Sequence, residues 1–312
     1  MLVKGISVAN ALLYVATVGI WGTTFFAITL QFGVVPLEIS ISYRFALAAA
    51  IFFAFALASG RSLRFRLRDH GAFMLLGIFL FSFHFLAVYA SAGLIASGLT
   101  SVAFSTIVLF NIGLGTFFLK VPLQPRIVVG AMLGIAGIAL VFWRDVATFD
   151  FGDVALAGLG LAILGAALAS VGNIVSARIQ CRKVPIVQAN AYGMAYGAIF
   201  IAAFGAVRGQ PFVFDWSLIY AGSLVYLAIV STVLAFAFYL TLLGRIGAAR
   251  AGYMWVLFPI VALAMSTFLE GYAWTPLAAT GVAVVLLGNA LVLTPRGTFR
   301  ASGTREPSND EV

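Results

Sequence analysis

The sequence predicts an all-α membrane protein: ten transmembrane helices forming two inverted five-helix repeats around a central cavity. Three observations predict it. Hydrophobic residues make up 63% of the 312 positions and charged residues only 9%, against roughly 25% charged in an ordinary soluble domain. The apolar positions fall in runs long enough to cross hydrocarbon, parted by charged or proline-containing breaks. Residue patterns of the first half also return in the second at a nearly fixed spacing. A soluble chain of this size would leave about a quarter of its unfolded surface facing water, most of it apolar here. Hydrocarbon solvent removes that conflict.

A spanning helix needs about 20 apolar residues. The 33 uncharged residues between Lys4 and Glu38 supply span one at 9–31, and span two covers 38–59 with one charge, Arg44. The 49 residues from Gly71 to Leu119 carry no formal charge. At about 1.5 Å per residue they would be more than twice as long as the bilayer core is thick. They must fold back, and the small residues Ser91-Ala92-Gly93 to Ser97-Gly98 supply the turn, giving spans three (70–91) and four (97–119). Pro122 and Pro125 end span four, because the residue before proline disfavours helix. Span five covers 126–143, and the five later spans are 154–177, 186–207, 217–243, 248–269 and 275–294. The domain reading is a short N-terminus (1–8), a first repeat (9–143), a connecting loop (144–153), a second repeat (154–294) and a polar, disordered tail (295–312). Span one is too long for the core of a signal peptide and lacks a small-residue cleavage motif, so it is expected to stay.

With the N-terminus in the cytoplasm, 15 of the 18 basic residues fall on the inner side, from Lys4 through Arg61, Arg64, Arg178 and Arg182 to Arg305. Only Arg144 and Arg208 lie outside, with Arg44 inside span two. The positive-inside rule for short loops therefore predicts cytoplasmic N- and C-termini. An odd number of spans would invert the second half of this sorting.

Val35-Pro36 and Tyr43 return as Val184-Pro185 and Tyr192, and Ala46 and Ala49 as Ala195 and Ala198, all 149 residues on. Phe85, Gly93, Pro125 and Gly137 return as Phe236, Gly244, Pro276 and Gly288, 151 residues on. Five spans per half is an odd number, so the second copy lies upside down relative to the first. Inverted repeats are characteristic of secondary transporters, whose site lies near the midplane between halves that rock around it.

These features resemble the drug/metabolite transporter superfamily, in particular its ten-helix exporters built from two EamA-type repeats. The resemblance covers residues 10–294. It rests on Trp21-Gly22-Thr23-Thr24-Phe25, on Pro36 with Arg44-Phe45, on Pro259 with Phe268-Leu269-Glu270, and on Gly281 and Gly288. The first half departs from the pattern: the proline of span four is missing, with Asn111 nearby, and Lys120 stands where an acid is usual. The resemblance and the aromatic-rich spans point to a subfamily similar to exporters of aromatic or neutral amino acids, in a bacterial inner membrane.

Candidate substrate-binding residues are those whose chemistry is costly in lipid. His84 is the sole ionisable group of the run from Gly71 to Leu119; it reads either as a hydrogen-bonding group on a cavity wall or as a neutral imidazole bonded to a nearby carbonyl. Arg44 either attracts a substrate carboxylate or has a structural role, snorkelling to the interface or pairing with Glu38. Asn111, Asn173 and Asn289 are amides at membrane depth, able to hold substrate or to glue helices together. Asn173 has the better claim, with Ser170 one turn earlier on its face. Trp21, Thr24 and Phe25 share one face of span one, and Thr232, Phe236 and Tyr239 one face of span eight; a hydroxyl among rings suits an amphipathic ligand. Trp255 begins span nine where an aromatic belt is expected in any case. Gly130, Gly134 and Gly137, like Gly193 and Gly197, read as close helix contacts.

The absences carry as much. The charge of +8 is scattered in small groups, unlike the one-sided footprint of a nucleic-acid binder. A single cysteine, Cys181, and two histidines, His70 and His84, offer no disulfide and no metal cluster, so no metal or cofactor is expected. Paired aspartates, a Ser/His pair and a phosphate loop are all missing, which argues against a protease, another enzyme or an ATP-driven pump. No Asp or Glu lies at mid-depth in any span, so facilitated transport with no obligatory proton coupling is expected. A site enclosed by one chain argues against a channel and for a monomer in the lipid bilayer. The expected cargo is a small molecule, an amino acid with a large neutral side chain. Hydrophobic or cationic drugs are the runner-up, with possible proton coupling through His84, and a metabolite such as a nucleobase comes third.

Overall fold

The computed structural model describes residues 8–119, 125–143, 153–246 and 254–293. Every regular element among them is helical. Ten helices follow one another: α1 (Val8–Thr29), α2 (Leu37–Ala58), α3 (Leu67–Ile78 and His84–Ala92, joined by the π segment Phe79–Phe83), α4 (Ser97–Phe104 and Ile107–Leu119), α5 (Pro125–Val141), α6 (Val154–Cys181), α7 (Ile186–Val207), α8 (Leu218–Val225 and Ala235–Ile246, joined by the π segment Tyr226–Leu234), α9 (Met254–Leu269) and α10 (Pro276–Leu293). Each overlaps one expected span, with α3, α6 and α8 running past the expected ends at Leu67, Cys181 and Ile246. Seven of them, α1–α4 and α6–α8, are long and apolar enough to cross a bilayer. α5, α9 and α10 hold shorter apolar stretches, Val128–Val141, Leu257–Leu269 and Pro276–Leu291. The N-terminus, Lys120, Pro122, the connecting loop 144–152, Arg250 and the tail 295–312 lie outside the described residues.

The recurring residues set the helix ends. Pro36 and Pro185 stand immediately before α2 and α7, and Pro125 and Pro276 are the first residues of α5 and α10. Proline suits these places because the amide it lacks has no partner in a first turn. Gly60 and Gly209 follow α2 and α7 with φ of +65° and +71°, left-handed turns that favour glycine. Asp153 and Ser217 cap α6 and α8, accepting from Ala155 N at 2.8 Å and from Tyr220 N at 3.2 Å.

The π segments were not legible in the periodicity, which predicted unbroken helices for spans three and eight. In α3 the Ser82 hydroxyl donates to Gly77 O at 2.9 Å, and in α8 the Thr232 hydroxyl donates to Leu227 O at 2.8 Å. Both bonds reach back five residues and support the wider turn. π segments recur at functional sites, and both of these border the cavity described below. α4 is likewise interrupted, at Ser105–Thr106.

Small residues let the helices approach. A Cβ on Gly137 would come within 2.6 Å of Gly281 O, and one on Gly281 within 2.5 Å of Gly137 O, so α5 and α10 meet backbone to backbone. Gly77 and Gly197 bring α3 against α7 in the same way. The packing scheme is two-sided. α1 packs on α8 and α9 as α6 packs on α3 and α4, α2 packs on α8 as α7 packs on α3, and α2–α7, α4–α9 and α5–α10 pair directly. The outward faces are apolar: Leu164, Ile199 and Leu287 are 49%, 62% and 65% exposed. Such a surface suits lipid.

Candidate functional site

The bundle encloses a cavity of about 400 Å³. Among the described residues its wall comes from α1–α4 and α6–α9, with none from α5 or α10. Eleven of the thirteen residues singled out above face it: Trp21, Thr24, Phe25, Arg44, His84, Asn111, Asn173, Thr232, Phe236, Tyr239 and Trp255.

One group of lining side chains is an aromatic cluster. Trp21 lies at centre-to-centre distances of 5.6 Å from Trp255, 5.3 Å from Tyr239 and 6.0 Å from Phe236. Phe25 stacks on Phe258 at 5.6 Å and meets Phe104 at 6.1 Å. The spacing of Trp21 and Phe25 on α1 and of Phe236 and Tyr239 on α8 turns these rings toward one another. Offset and edge-on ring pairs at such distances form a preorganised apolar wall.

A second group of lining side chains is polar and is organised around Arg44, which is 2% exposed. Its Nε and Nη2 donate to Thr232 Oγ1 at 3.3 and 3.2 Å, Nη2 also to Ser231 Oγ at 3.4 Å, and Nη1 to the Tyr89 hydroxyl at 3.4 Å. The guanidinium carbon lies 4.5 Å from the centre of the Phe85 ring, a cation–π contact. Thr24 donates to Ile20 O at 2.7 Å, so in the 2.6 Å contact between Thr24 and Ser231 the serine is the donor. The lone pairs of Ser231 are thereby left for Arg44.

Arg44 therefore neither snorkels nor pairs with Glu38. Glu38 accepts from Arg208 Nη1 at 2.8 Å, a contact across 170 positions that spacing along span two does not reveal. No carboxylate bonds Arg44 among the described residues, and no Asp or Glu lines the cavity.

The remaining polar side chains of the wall include His84 and the amides. Asn173 donates to Asn111 Oδ1 at 3.1 Å, linking α6 to α4. His84 is 5% exposed, its ring 4.0 Å from that of Phe85, with the Phe79 and Leu80 carbonyls near its imidazole. Ser170 is one of two exceptions among the candidates. It is wholly buried and absent from the lining, because α6 packs closely on α3 at that level, where Gly165 and Gly172 meet α3. Asn289 is buried in α10, away from the cavity.

Sequence reasoning passed over Ser231, Tyr89 and Asn190. Ser231 and Thr232 both meet Arg44 because the π segment widens the turn that carries them. Tyr89, wholly buried, reaches Arg44 from α3 through its hydroxyl. Asn190 lies in the first turns of α7, where an amide reads as interfacial, yet it is 3% exposed and lines the cavity.

The lining continues past the rings to Gln180 and Ile186, at the turn between α6 and α7. The opposite end of the bundle is bound up by polar contacts between the halves. Gln31 donates to Tyr220 O at 3.0 Å, the Ser40 and Tyr220 hydroxyls meet at 2.9 Å, and Glu38 and Arg208 pair.

The sequence pattern of EamA-like transporters matches residues 9–143 and 156–294. A probable amino-acid metabolite efflux pump of Salmonella typhimurium (strain LT2) is 28% identical over 308 residues, 94% of this chain and 99% of that one. An uncharacterized transporter of Archaeoglobus fulgidus is 27% identical over 282 residues, 90% of this chain and 97% of that one. A solved crystal structure shares the fold, with a TM-score of 0.64 at 20% identity, covering 91% of this chain and 96% of its own.

Proposed function

This chain belongs to the EamA-like transporter family, and from that membership we propose that it moves amino acids with large neutral or aromatic side chains, and similar metabolites, by alternating access. The observation that carries the reading is the cavity itself: about 400 Å³ at the junction of both halves, lined by a cluster of rings around Trp21 and by hydrogen-bonding groups that include Arg44, His84 and the amides. An amphipathic ligand fits such a wall: its ring lies against Trp21, Tyr239 and Trp255 while its backbone meets Arg44, His84 and the Asn111–Asn173 pair. The similarity to an amino-acid metabolite efflux pump supports the same cargo.

In this reading ten helices span a bacterial inner membrane as two inverted repeats, and one chain encloses the site. The reciprocal packing of α1 with α8–α9 and α6 with α3–α4 supports the duplication. With cytoplasmic termini, the turn between α6 and α7 faces the cytoplasm, so the cavity opens inward. The Glu38–Arg208 and Ser40–Tyr220 contacts then hold the outer side shut. Outward opening requires those contacts to part while α6 and α7 close over the rings. Transport runs down whichever substrate gradient exists, without obligatory proton coupling.

The test is uptake of labelled phenylalanine into proteoliposomes of the purified protein, with and without a pH gradient. Saturable uptake, indifferent to the gradient and blocked by unlabelled neutral amino acids, is expected. Uptake that accumulates only under the gradient refutes the uncoupled mechanism. Uptake no faster than in empty liposomes refutes the cargo.

A further inference from the structure

We propose that Arg44 makes the cavity a reader of carboxylates, so that aromatic acids lacking an amino group are ligands of this site as well as amino acids. The inference rests on the cavity proposed above as the substrate site, and it names what that site recognises.

A guanidinium buried to 2% exposure is costly unless an anion accompanies it. Here the partners are neutral hydroxyls at 3.2–3.4 Å and two phenyl faces, Phe45 and Phe85. Charge-assisted contacts to a carboxylate run about 2.7–2.9 Å, so these hydroxyls hold the group without neutralising it. They also leave it able to act. A guanidinium has five N–H donors, and the four contacts engage Nε once, Nη1 once and Nη2 twice. One Nη1 proton is uncommitted, and the long contacts to Ser231 and Tyr89 yield to a stronger acceptor.

The nearest acid along α2, Glu38, is committed to Arg208. Among the described residues, the other polar side chains of the wall, including His84, Asn111, Asn173 and Asn190, contain no acid. The cavity therefore offers full compensation for a negative charge and only neutral dipoles and ring faces for a positive one. A zwitterion satisfies Arg44 but must desolvate its ammonium against amides. An aryl carboxylate satisfies Arg44 without that cost, and an aryl amine meets the uncompensated guanidinium. Affinity should therefore fall from the aryl carboxylate through the zwitterion to the aryl amine.

The test reads binding directly, because hydrophobic weak acids cross lipid unaided and would blur a flux assay. Trp21 and Trp255 line the cavity, so their fluorescence in the detergent-purified full-length protein reports occupancy. Hydrocinnamate, phenylalanine and phenethylamine share a ring and differ only in their charged groups. Hydrocinnamate should bind at least as tightly as phenylalanine, and phenethylamine at least roughly tenfold more weakly, the weight of one charge-assisted contact. Arg44→Gln should cost hydrocinnamate a similar factor or more, and Arg44→Lys should recover part of it. Equal binding of hydrocinnamate and phenethylamine by the unmodified protein overturns the proposal, whether or not Arg44→Gln folds; so does undiminished binding of hydrocinnamate to a folded Arg44→Gln. Hydrocinnamate binding without phenylalanine transport would remove the amino-acid cargo and leave this proposal standing.

Discussion

At the residue scale, the two buried charged side chains on α2 have been given opposite solutions. Glu38, 4% exposed, is paired with Arg208, whose own side chain is 54% exposed; Arg44 is left with hydroxyls and rings. The pair is lopsided, and that predicts an asymmetry. Removing the cation by Arg208→Ala strands a buried carboxylate, which costs about 1–3 kcal/mol or more. Removing the negative charge by Glu38→Gln leaves Arg208 with access to water and should cost less than about 1 kcal/mol. Thermal unfolding in detergent should show a clear drop in Tm for the first variant and a small one for the second. Equal drops would mean that the contact contributes by packing and not by charge. This arrangement was only half legible in the sequence. Arg44, His84, Asn111 and Asn173 stand out because an ionisable or amide group amid apolar residues announces itself. Partnership does not, since Glu38 and Arg208 are 170 positions apart and Thr232 is 188 from Arg44. Only the packing of α2 against α7 and α8 brings them together.

At the element scale, helix existence was legible because the spans are long and uncharged, and the prolines and glycines that open and close them recur in both halves. Helix character was not. The π segments in α3 and α8 depend on hydroxyls that bond carbonyls five residues back, Ser82 to Gly77 and Thr232 to Leu227, and a serine or threonine in an apolar run reads equally well as an ordinary helix residue. The same segments explain why a face drawn at helical spacing missed Ser231. Glycine contacts divide by what they support. Gly137 seats α5 on α10, outside the cavity wall, whereas Gly197 seats α7 on the π segment of α3, where a Cβ would come within 2.7 Å of Phe81 Cβ. Gly137→Ala should therefore lower stability by about 1–3 kcal/mol through overpacking while leaving substrate affinity within about twofold. Gly197→Ala should lower stability comparably and weaken binding as well, because Phe81 lies in the wall. Melting curves and phenylalanine binding on the two variants separate the cases. A loss of affinity in Gly137→Ala would mean that α5 and α10 take part in shaping the site.

At the scale of the whole molecule, the proposal turns on direction: which end of the bundle faces the cytoplasm decides whether the cavity opens inward or outward. Charge sorting gives one answer, since Arg61 and Arg64 after α2 and Arg178 and Arg182 at the end of α6 lie at the end toward which the cavity lining extends. The molecule carries its own reporter of that answer. Cys181, the single cysteine of the chain, is exposed at the end of α6, next to the turn that borders the cavity mouth. A membrane-impermeant maleimide should leave it unmodified in right-side-out spheroplasts and label it in inverted vesicles. Labelling in spheroplasts would invert the topology and make the described conformation outward-open. The same thiol also reports motion. If α6 and α7 close over the rings during alternating access, saturating phenylalanine, by drawing part of the population into closed states, should slow labelling in inverted vesicles. A rate unaffected by any bound ligand would mean that this turn does not move, and that access to the cavity changes elsewhere in the bundle.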